Sequence, residues 1–267
     1  MQDIIRIFPE FSILMSGCSD ASAQHDNADP HHIETHRRPP FSEIHLPRQT
    51  HSLNVGILTE VGMDCPDTDA LITRLPGVAI GVRTADCVPI LLHAPDIGAV
   101  AAIHAGWRGT LGGIVDATLA RLRELGANPG GISAIFGASI SAEAYEVDED
   151  LAEQFREAGF GRFISYPAKP DFTHQGVTVH YLADEPAQSA PAPKPHIDLE
   201  GINVCRLICQ GVGVTGITPS PWCTLLSKMP DGSPRFNSYR RDHTAARNIT
   251  AIVLNKPAPV TTGHRFF

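Results

Sequence analysis

The apolar positions of this chain fall into short blocks, and their spacing alternates between two periods. From residue 53 onward LNVGILTEV (53–61), DALITRL (69–75), VAIGV (78–82), CVPILLH (87–93) and AVAAIH (99–104) follow one another. They are rich in Val and Ile and separated by Gly, Pro or Asp, which predicts a run of strands. After His104 the period changes. In GGIVDATLARLRELG, Ile114, Val115, Leu119 and Leu122 recur at helical spacing, and Gly126 supplies a C-terminal stop. Further along, a strand is expected at GISAIFG (131–137), an acidic helix start at VDEDLAEQFREAG (147–159) and two short strands within 160–197. A helix at LEGINVCRLICQGV (199–212), a short strand at VTGIT and a strand at NITAIVL (248–254) complete the pattern. Residues 17–50, rich in His, Pro, Asp and Ser, and the Pro/Ala-rich run EPAQSAPAPKPH (185–196) are expected to be mostly loop. Strands and helices are interspersed without an internal repeat or a clean linker. The fold class is therefore mixed α/β, in one domain covering 1–267.

Composition adds bounds. A chain of 267 residues with 42% hydrophobic and 19% charged residues is an ordinary globular protein that can bury a core. Its formal net charge of −8 argues against nucleic acid as a partner, and an anionic substrate would need a local cluster of arginines. The opening MQDIIRIFPEFSIL lacks the basic and long apolar regions of a signal peptide, and no apolar run is long enough to span a membrane. The six cysteines show no CxxC and no disulfide-scaffold spacing, which suits reduced thiols and a cytoplasmic location. Cys205 and Cys209 lie four apart on a predicted helix and share a face; buried free thiols are expected there.

The chemistry concentrates in TADCVPILLH (84–93) and AVAAIHAGWRGT (99–110). They place Cys87 and His104 at the ends of what should be adjacent buried strands, beside apolar runs with no packing need for either. Alone, each fits a buried structural residue. Together they suit a zinc site or a cysteine–histidine catalytic pair. His104 enters the glycine-bracketed turn Gly106-Trp107-Arg108-Gly109 ahead of a helix, a place where α/β proteins bind ligands and where backbone amides can hold an anion. His51, just before Leu53, reads by itself as a surface-loop histidine. In FNSYRRD (236–242), Arg240 and Arg241 sit among aromatic and small polar residues near Arg247, a pattern open to either a solvated surface or an anion clamp.

At these residues the sequence resembles the YfiH-like family, also called the laccase-domain or multicopper polyphenol oxidoreductase family. DALITRLPGVAIGVRTADCVPILL, AAIHAGWRGT, the GASI…AYEV segment (137–147), IDLEGIN, WCTL and FNSYRRD fall in family order, from about Gln49 to Leu254. The resemblance implies a layered, mixed-sheet α/β sandwich. It implies a metal triad of His51, Cys87 and His104, and a zinc-dependent purine nucleoside phosphorylase with adenosine deaminase side activity. The substrates would be a purine nucleoside and phosphate, with Arg108, Arg240 and Arg241 as anion-binding residues. Some elements depart from the family pattern. Gln49-Thr50-His51-Ser52 stands for Q-V-H-G, GASI for G-P-S-I and Ala246-Arg247-Asn248 for Gly-Arg, and ILMSGCSDAS (13–22) lacks the arginine before paired glycines.

Other readings compete. A Cys/His₂ site takes up copper as well as zinc, which favours a copper-dependent polyphenol oxidoreductase, although no His-x-His pair occurs in the chain. Cys87 activated by His104 would instead make a cysteine hydrolase, an idea that a fold resemblance to deamidating bacterial toxins encourages. The family also suggests a housekeeping role in peptidoglycan quality control. A non-enzymatic binding module would leave three metal ligands without a role.

Overall fold

The structure, a computed structural model, describes residues 4–8, 10–16, 32–34, 43–166, 172–174, 177–179 and 193–255. The chain opens with β1 (Ile4–Ile7), β2 (Phe11–Met15), β3 (His32–Glu34) and β4 (Glu43–His45). Next come β5 (Val55–Leu58), β6 (Ala70–Thr73), β7 (Ala79–Thr84), β8 (Val88–Ala94) and β9 (Ala99–Ala105). Helices α1 (Trp107–Gly112) and α2 (Ile114–Glu124) follow, then β10 (Ser133–Phe136) and α3 (Glu149–Glu157). Short strands β11 (Ile164–Ser165), β12 (Phe172–His174), β13 (Val177–Val179) and β14 (His196–Ile197) lead to α4 (Leu199–Cys209). The described chain closes with β15 (Ile217–Thr218), α5 (Tyr239–Asp242) and β16 (Asn248–Leu254).

Two six-stranded sheets carry the fold. The first has the order β1-β2-β16-β7-β4-β3 and the second β15-β10-β8-β9-β6-β5, with β11–β14 and β12–β13 as separate two-stranded ribbons. Strand alternation sorts the side chains into layers. Val88, Ile90 and Leu92 of β8, with Ala101 and Ile103 of β9, face one way and pack with Leu119 and Leu122 of α2 and Ile202 and Leu207 of α4. The other parity, Leu91, Val100 and Ala102, packs against Ile13, Ile80, Val82 and Ile252 of the first sheet. The result is sheet on sheet on helices, the layered α/β sandwich expected. Because β8 and β9 are buried on both faces, they read as continuous apolar runs rather than alternating ones. Each fully buried Ile or Leu contributes roughly 1.5–3 kcal/mol of hydrophobic stabilisation before entropy is counted.

Helix α2 buries Ile114, Val115, Leu119 and Leu122 as expected, and the chain leaves it through Gly126 at φ +99°. At α4 the Asp198 carboxylate accepts the Gly201 N–H at 2.8 Å and caps the first turn.

Several expectations need correction. Within 17–50, described as mostly loop from the sequence, β3 and β4 are strands; Ile44 is fully buried and β4 pairs in parallel with β7. Three-residue strands are too short to show a period. The rest of the unassigned loop, 17–31 and 35–42, lies outside the described residues. Strand β2 had no counterpart in the sequence reading, yet it lies inside the first sheet with all five residues buried. Of 185–196, residues 193–195 are irregular and His196 opens β14, while 185–192 lie outside the described residues. Helix α4 stops at Cys209, short of 212, and only Ile217–Thr218 of VTGIT is strand. Cys205 is half-buried and Cys209 exposed, not buried as expected, because Leu199, Ile202, Asn203 and Leu207 take the buried face of α4. Among the described residues no helix is long and apolar enough to cross a membrane.

Ile103, fully buried one residue before His104, tests how far this core supports the site. Ile103→Ala is expected to cost about 2–5 kcal/mol, read as a lower urea midpoint at unchanged slope.

Candidate metal and active site

Strand register brings the two key side chains together. β8 and β9 are antiparallel, with Val88 opposite Ala105 and Pro89 opposite His104, so Cys87 and His104 reach the same end of the second sheet. Alternation gives His104 the parity of Val100 and Ala102, the side facing the first sheet. Cys87, one residue before Val88, shares the parity of Leu91 and points the same way. The pair therefore stands in the seam where the two sheets part.

His51 arrives on the loop before β5. Its φ of 62° is left-handed, a conformation costly for a residue with a side chain, by about 1–2 kcal/mol. A buried carboxylate that the sequence reading did not single out compensates. Asp69 is wholly buried at the start of β6. Its Oδ2 accepts the N–H of Thr50 at 3.1 Å, the N–H of Ser52 at 2.7 Å and the Ser52 hydroxyl at 2.8 Å. Its Oδ1 accepts the His51 N–H at 3.1 Å and pairs with Nδ1 of His104 at 2.7 Å. Asp69 thus sets both histidines. It holds the His51 turn and accepts a hydrogen bond from Nδ1–H of His104, which leaves Nε2 to face an ion. Gln49 anchors the same loop to the other sheet: its amide donates to Arg83 O at 2.7 Å and accepts from Arg83 N at 2.8 Å.

A second carboxylate positions Cys87. Asp86, at φ 87°, accepts the Thr224 hydroxyl at 2.6 Å and the Arg240 N–H at 2.7 Å, tying the TADC turn to the WCTL and FNSYRRD segments. Gly106 is required by space. A Cβ there would lie 2.8 Å from His51 Cδ2 and 3.0 Å from Cys87 Sγ.

The electrostatics favour a thiolate. Burial opposes the charge on Cys87, but hydrogen bonding to His104 and His51 and their positive charge outweigh it and bring the thiol down to about 6. Burial likewise disfavours charge on His104, yet Asp69 and Cys87 raise it to about 9. Asp69, despite its own burial, is held at about 2 by His104 and the loop donors.

The donor set fits a metal ion. The ligand atoms of His51, Cys87 and His104 all lie within 4.8 Å of one another, and Cys87 Sγ is 3.9 Å from His51 Nε2. A tetrahedral ion bonded at about 2.0–2.3 Å sets its ligands about 3.3–3.8 Å apart, so small side-chain adjustments close the triad. Among the described residues this is the only group of three or more such donors.

The triad opens into a cavity of about 1000 Å³ whose walls include Trp107, Tyr239, Arg48, Arg83 and Arg247. The arginines expected from the sequence to bind an anion each have protein partners. Arg108 is exposed and stacks on Trp107 at 4.1 Å. Arg240 donates to Glu146 O at 2.7 Å and lies 5.4 Å from the Tyr145 ring centre. Arg241 donates to Phe236 O at 2.9 Å, Thr224 O at 3.4 Å and the Asp242 carboxylate, bracing its own segment. The cavity walls include none of these three, whereas Arg247, named in the sequence only as their neighbour, does line it. Tyr145 was also missed. Burial and the Cys87 charge raise its phenol to about 12 against the pull of Arg240 and Arg108, which puts all three side chains in one electrostatic neighbourhood. The signals were faint: a carboxylate directly before an apolar strand for Asp69, and nothing periodic for Tyr145.

The fold and site together define a class, a mixed-sheet α/β protein with a histidine–cysteine–histidine cluster able to hold a metal ion at the seam of two sheets. The chain belongs to the family described as multi-copper polyphenol oxidoreductase laccase, matching it over residues 19–255, and is an enzyme of that family. A purine nucleoside phosphorylase of Corynebacterium glutamicum is 46% identical over 213 residues, covering 79% of this chain and 74% of the relative. A purine nucleoside phosphorylase of Deinococcus radiodurans is 36% identical over 185 residues; that match covers 69% of this chain and 60% of the relative. Adenosine deaminase RL5, from an unknown prokaryotic organism, is 35% identical over 221 residues, 79% of this chain and 75% of its own. Among solved structures, Neisseria meningitidis protein NMB0706 superposes with a TM-score of 0.65 at 25% identity, covering 95% of this chain and 99% of that one.

Asp69→Asn is expected to weaken metal binding about 10–100-fold, because the His104 tautomer is no longer fixed; competition with a chromophoric chelator reads it. Gly106→Ala should displace His51 and Cys87 and lower metal content while the thermal unfolding transition stays cooperative. In the metal-free protein Asp69, Cys87 and His104 make stability depend on pH. Asp69 is depressed, so its contribution is present above the ordinary carboxylate range and is lost as pH falls towards 2. Cys87, lowered, adds stability as pH rises from 6 to 9, while His104, raised, loses it over nearly the same window. Urea midpoints should therefore fall below pH 4 and change little between 6 and 9, and Asp69→Asn should flatten the acid limb.

Proposed function

We propose that the protein is a zinc-dependent purine nucleoside phosphorylase, splitting adenosine, inosine or methylthioadenosine with phosphate to give the base and ribose 1-phosphate, with adenosine deamination as a side activity. The observation that carries this reading is the joining of the His51/Cys87/His104 triad to a cavity with aromatic and cationic walls. Relatives named purine nucleoside phosphorylase and adenosine deaminase support it. His51 Nε2, Cys87 Sγ and His104 Nε2 would hold the ion. Zinc bound there supplies a Lewis acid and lowers the pKa of bound water to about 7. Trp107 and Tyr239 offer flat apolar surface to a purine, and guanidinium groups at Arg48, Arg83 and Arg247 suit a phosphate. Arg108, stacked on the cavity-wall Trp107, and Arg240, beside Tyr145, would add positive charge from behind the wall. Arg241 positions the 236–242 segment. A single domain in a cytoplasmic setting, where thiols stay reduced, fits these demands.

A cysteine-hydrolase reading has one observation in its favour: Cys87, lowered to about 6, is a thiolate at neutral pH beside two imidazoles. Bound metal decides between the two, because a coordinated sulfur is not free to attack.

Purified protein incubated with adenosine or inosine should form ribose 1-phosphate only when phosphate is present. Cys87→Ala is expected to lower that rate at least about 100-fold, and Arg247→Ala to raise the KM for phosphate more than it lowers kcat. If neither ribose 1-phosphate nor inosine forms from adenosine, the assignment is wrong. Iodoacetamide should alkylate Cys87 rapidly only after a chelator has removed the metal; equal labelling before and after would favour the hydrolase.

A further inference from the structure

Cys205 and Cys209 lie outside the chemistry described so far. They sit on successive turns of α4, with their sulfurs 3.9 Å apart. Nηof Arg162 donates to Cys205 Sγ at 2.8 Å, and the same guanidinium stacks 4.9 Å above the Phe163 ring. Cys209 is exposed and Cys205 half-buried, so the pair is reachable from solvent, and neither lines the large cavity.

Helix geometry limits what this dithiol can do. Residues four apart hold their Cβ atoms about 5–6 Å from each other, whereas a disulfide needs about 3.5–4.5 Å. Closure to a disulfide would therefore distort the last turn of α4. An ion between the sulfurs needs the wider gap. Metal–thiolate bonds of about 2.3 Å place two sulfurs on opposite sides of an ion about 4.6 Å apart, within a small side-chain rotation of the observed 3.9 Å. A structural zinc site needs four ligands, and among the described residues the only group of three or more donors is the His51/Cys87/His104 set. Two thiolates alone suit a soft cation of low coordination number. Charge selects further. Binding a monovalent cation releases both thiol protons and leaves a complex of net charge −1, which the Arg162 guanidinium beside Cys205 neutralises; a divalent ion would leave a neutral complex with no use for that partner.

We infer that Cys205, Cys209 and Arg162 form a surface site for a monovalent soft cation, Cu(I), separate from the His51/Cys87/His104 centre. Copper bound by this protein would then be distributed over two sites of different chemistry, and copper content alone would say nothing about the catalytic metal.

The test is a Cu(I) titration of the full chain under argon with a reductant present, against bicinchoninate as competing chelator. Cys87→Ser protein, whose main metal centre is disabled, should still withdraw one equivalent of Cu(I). Adding Cys205→Ser or Cys209→Ser should weaken that binding at least about 100-fold, and Arg162→Gln about tenfold. X-ray absorption of the copper-loaded Cys87→Ser protein should show two sulfur neighbours and no nitrogen. Serine at either position, Cys209 exposed and Cys205 half-buried, should leave the unfolding temperature and phosphorolysis unchanged, so lost copper cannot be blamed on misfolding. The inference is overturned if Cys87→Ser protein withdraws no copper, if the serine variants bind it undiminished, or if nitrogen ligands appear.

Discussion

A single buried carboxylate holds the centre of this molecule together. Asp69 is removed from water and carries charge, which is tolerable only because five donors converge on it: three loop N–H groups, one hydroxyl and the His104 ring. Any one of them is a modest interaction in isolation. Together they convert a costly buried charge into an organising point that fixes a left-handed histidine, a histidine tautomer and the loop joining two sheets. Charge on Asp69 also sustains charge on His104, which in turn sustains the Cys87 thiolate. The polarity of the site is a chain of dependence that begins one strand away from its chemistry.

The layered fold explains why the site lies where it does. Two sheets packed face to face must diverge somewhere, because each twists, and the side chains at the end of the seam cannot all find apolar partners. Here β8 and β9 deliver Cys87 and His104 to that end from one sheet, while β7 of the other contributes Arg83 and Thr84 to the cavity wall. The 47–52 loop bridges the gap, pinned to one sheet by Gln49 and to the other by Asp69. Asp86 performs the same service from below, drawing the 224 and 240 segments against the cysteine turn.

What the sequence disclosed follows from the range of the interactions involved. Elements with a sustained local period, such as α2 and β16, were legible because burial repeats along the chain itself. The Cys87/His104 pair was legible because reactive side chains stood where packing did not call for them. His51 came only through the family resemblance, since a histidine in a polar loop carries no local sign of what it meets. Strand β2 went unread because FSILM, a run of only five, is too short to carry a period of its own, whereas β8 and β9 are seven-residue apolar runs set off by turn residues. Asp69 and the cavity-wall Arg48 and Arg83 are defined by contacts across more than a dozen residues of sequence, and no periodicity encodes those. The same reason hid the bracing bonds of Arg241: its partners Thr224 and Phe236 become visible only once the chain is folded.

The electrostatics that make Cys87 a good metal ligand also make it a good nucleophile, so the fold by itself does not choose between the two chemistries. Geometry does. A nucleophilic thiolate needs one imidazole as its base and open space for an electrophile on the far side. Here two imidazoles converge on the sulfur, His51 Nε2 at 3.9 Å among them, and Gly106 leaves them only the room its missing Cβ provides. The bond from His104 Nδ1 to Asp69 leaves Nε2 facing the sulfur, an orientation that serves a metal ligand and a general base alike, so the second imidazole is what distinguishes the site. Three donor atoms lie within 4.8 Å of one another and face an aromatic and cationic cavity, an arrangement that suits an ion held on one side and approached by substrate from the other. On the proposed reading, the shape of that cavity rather than the identity of the triad would set the substrate.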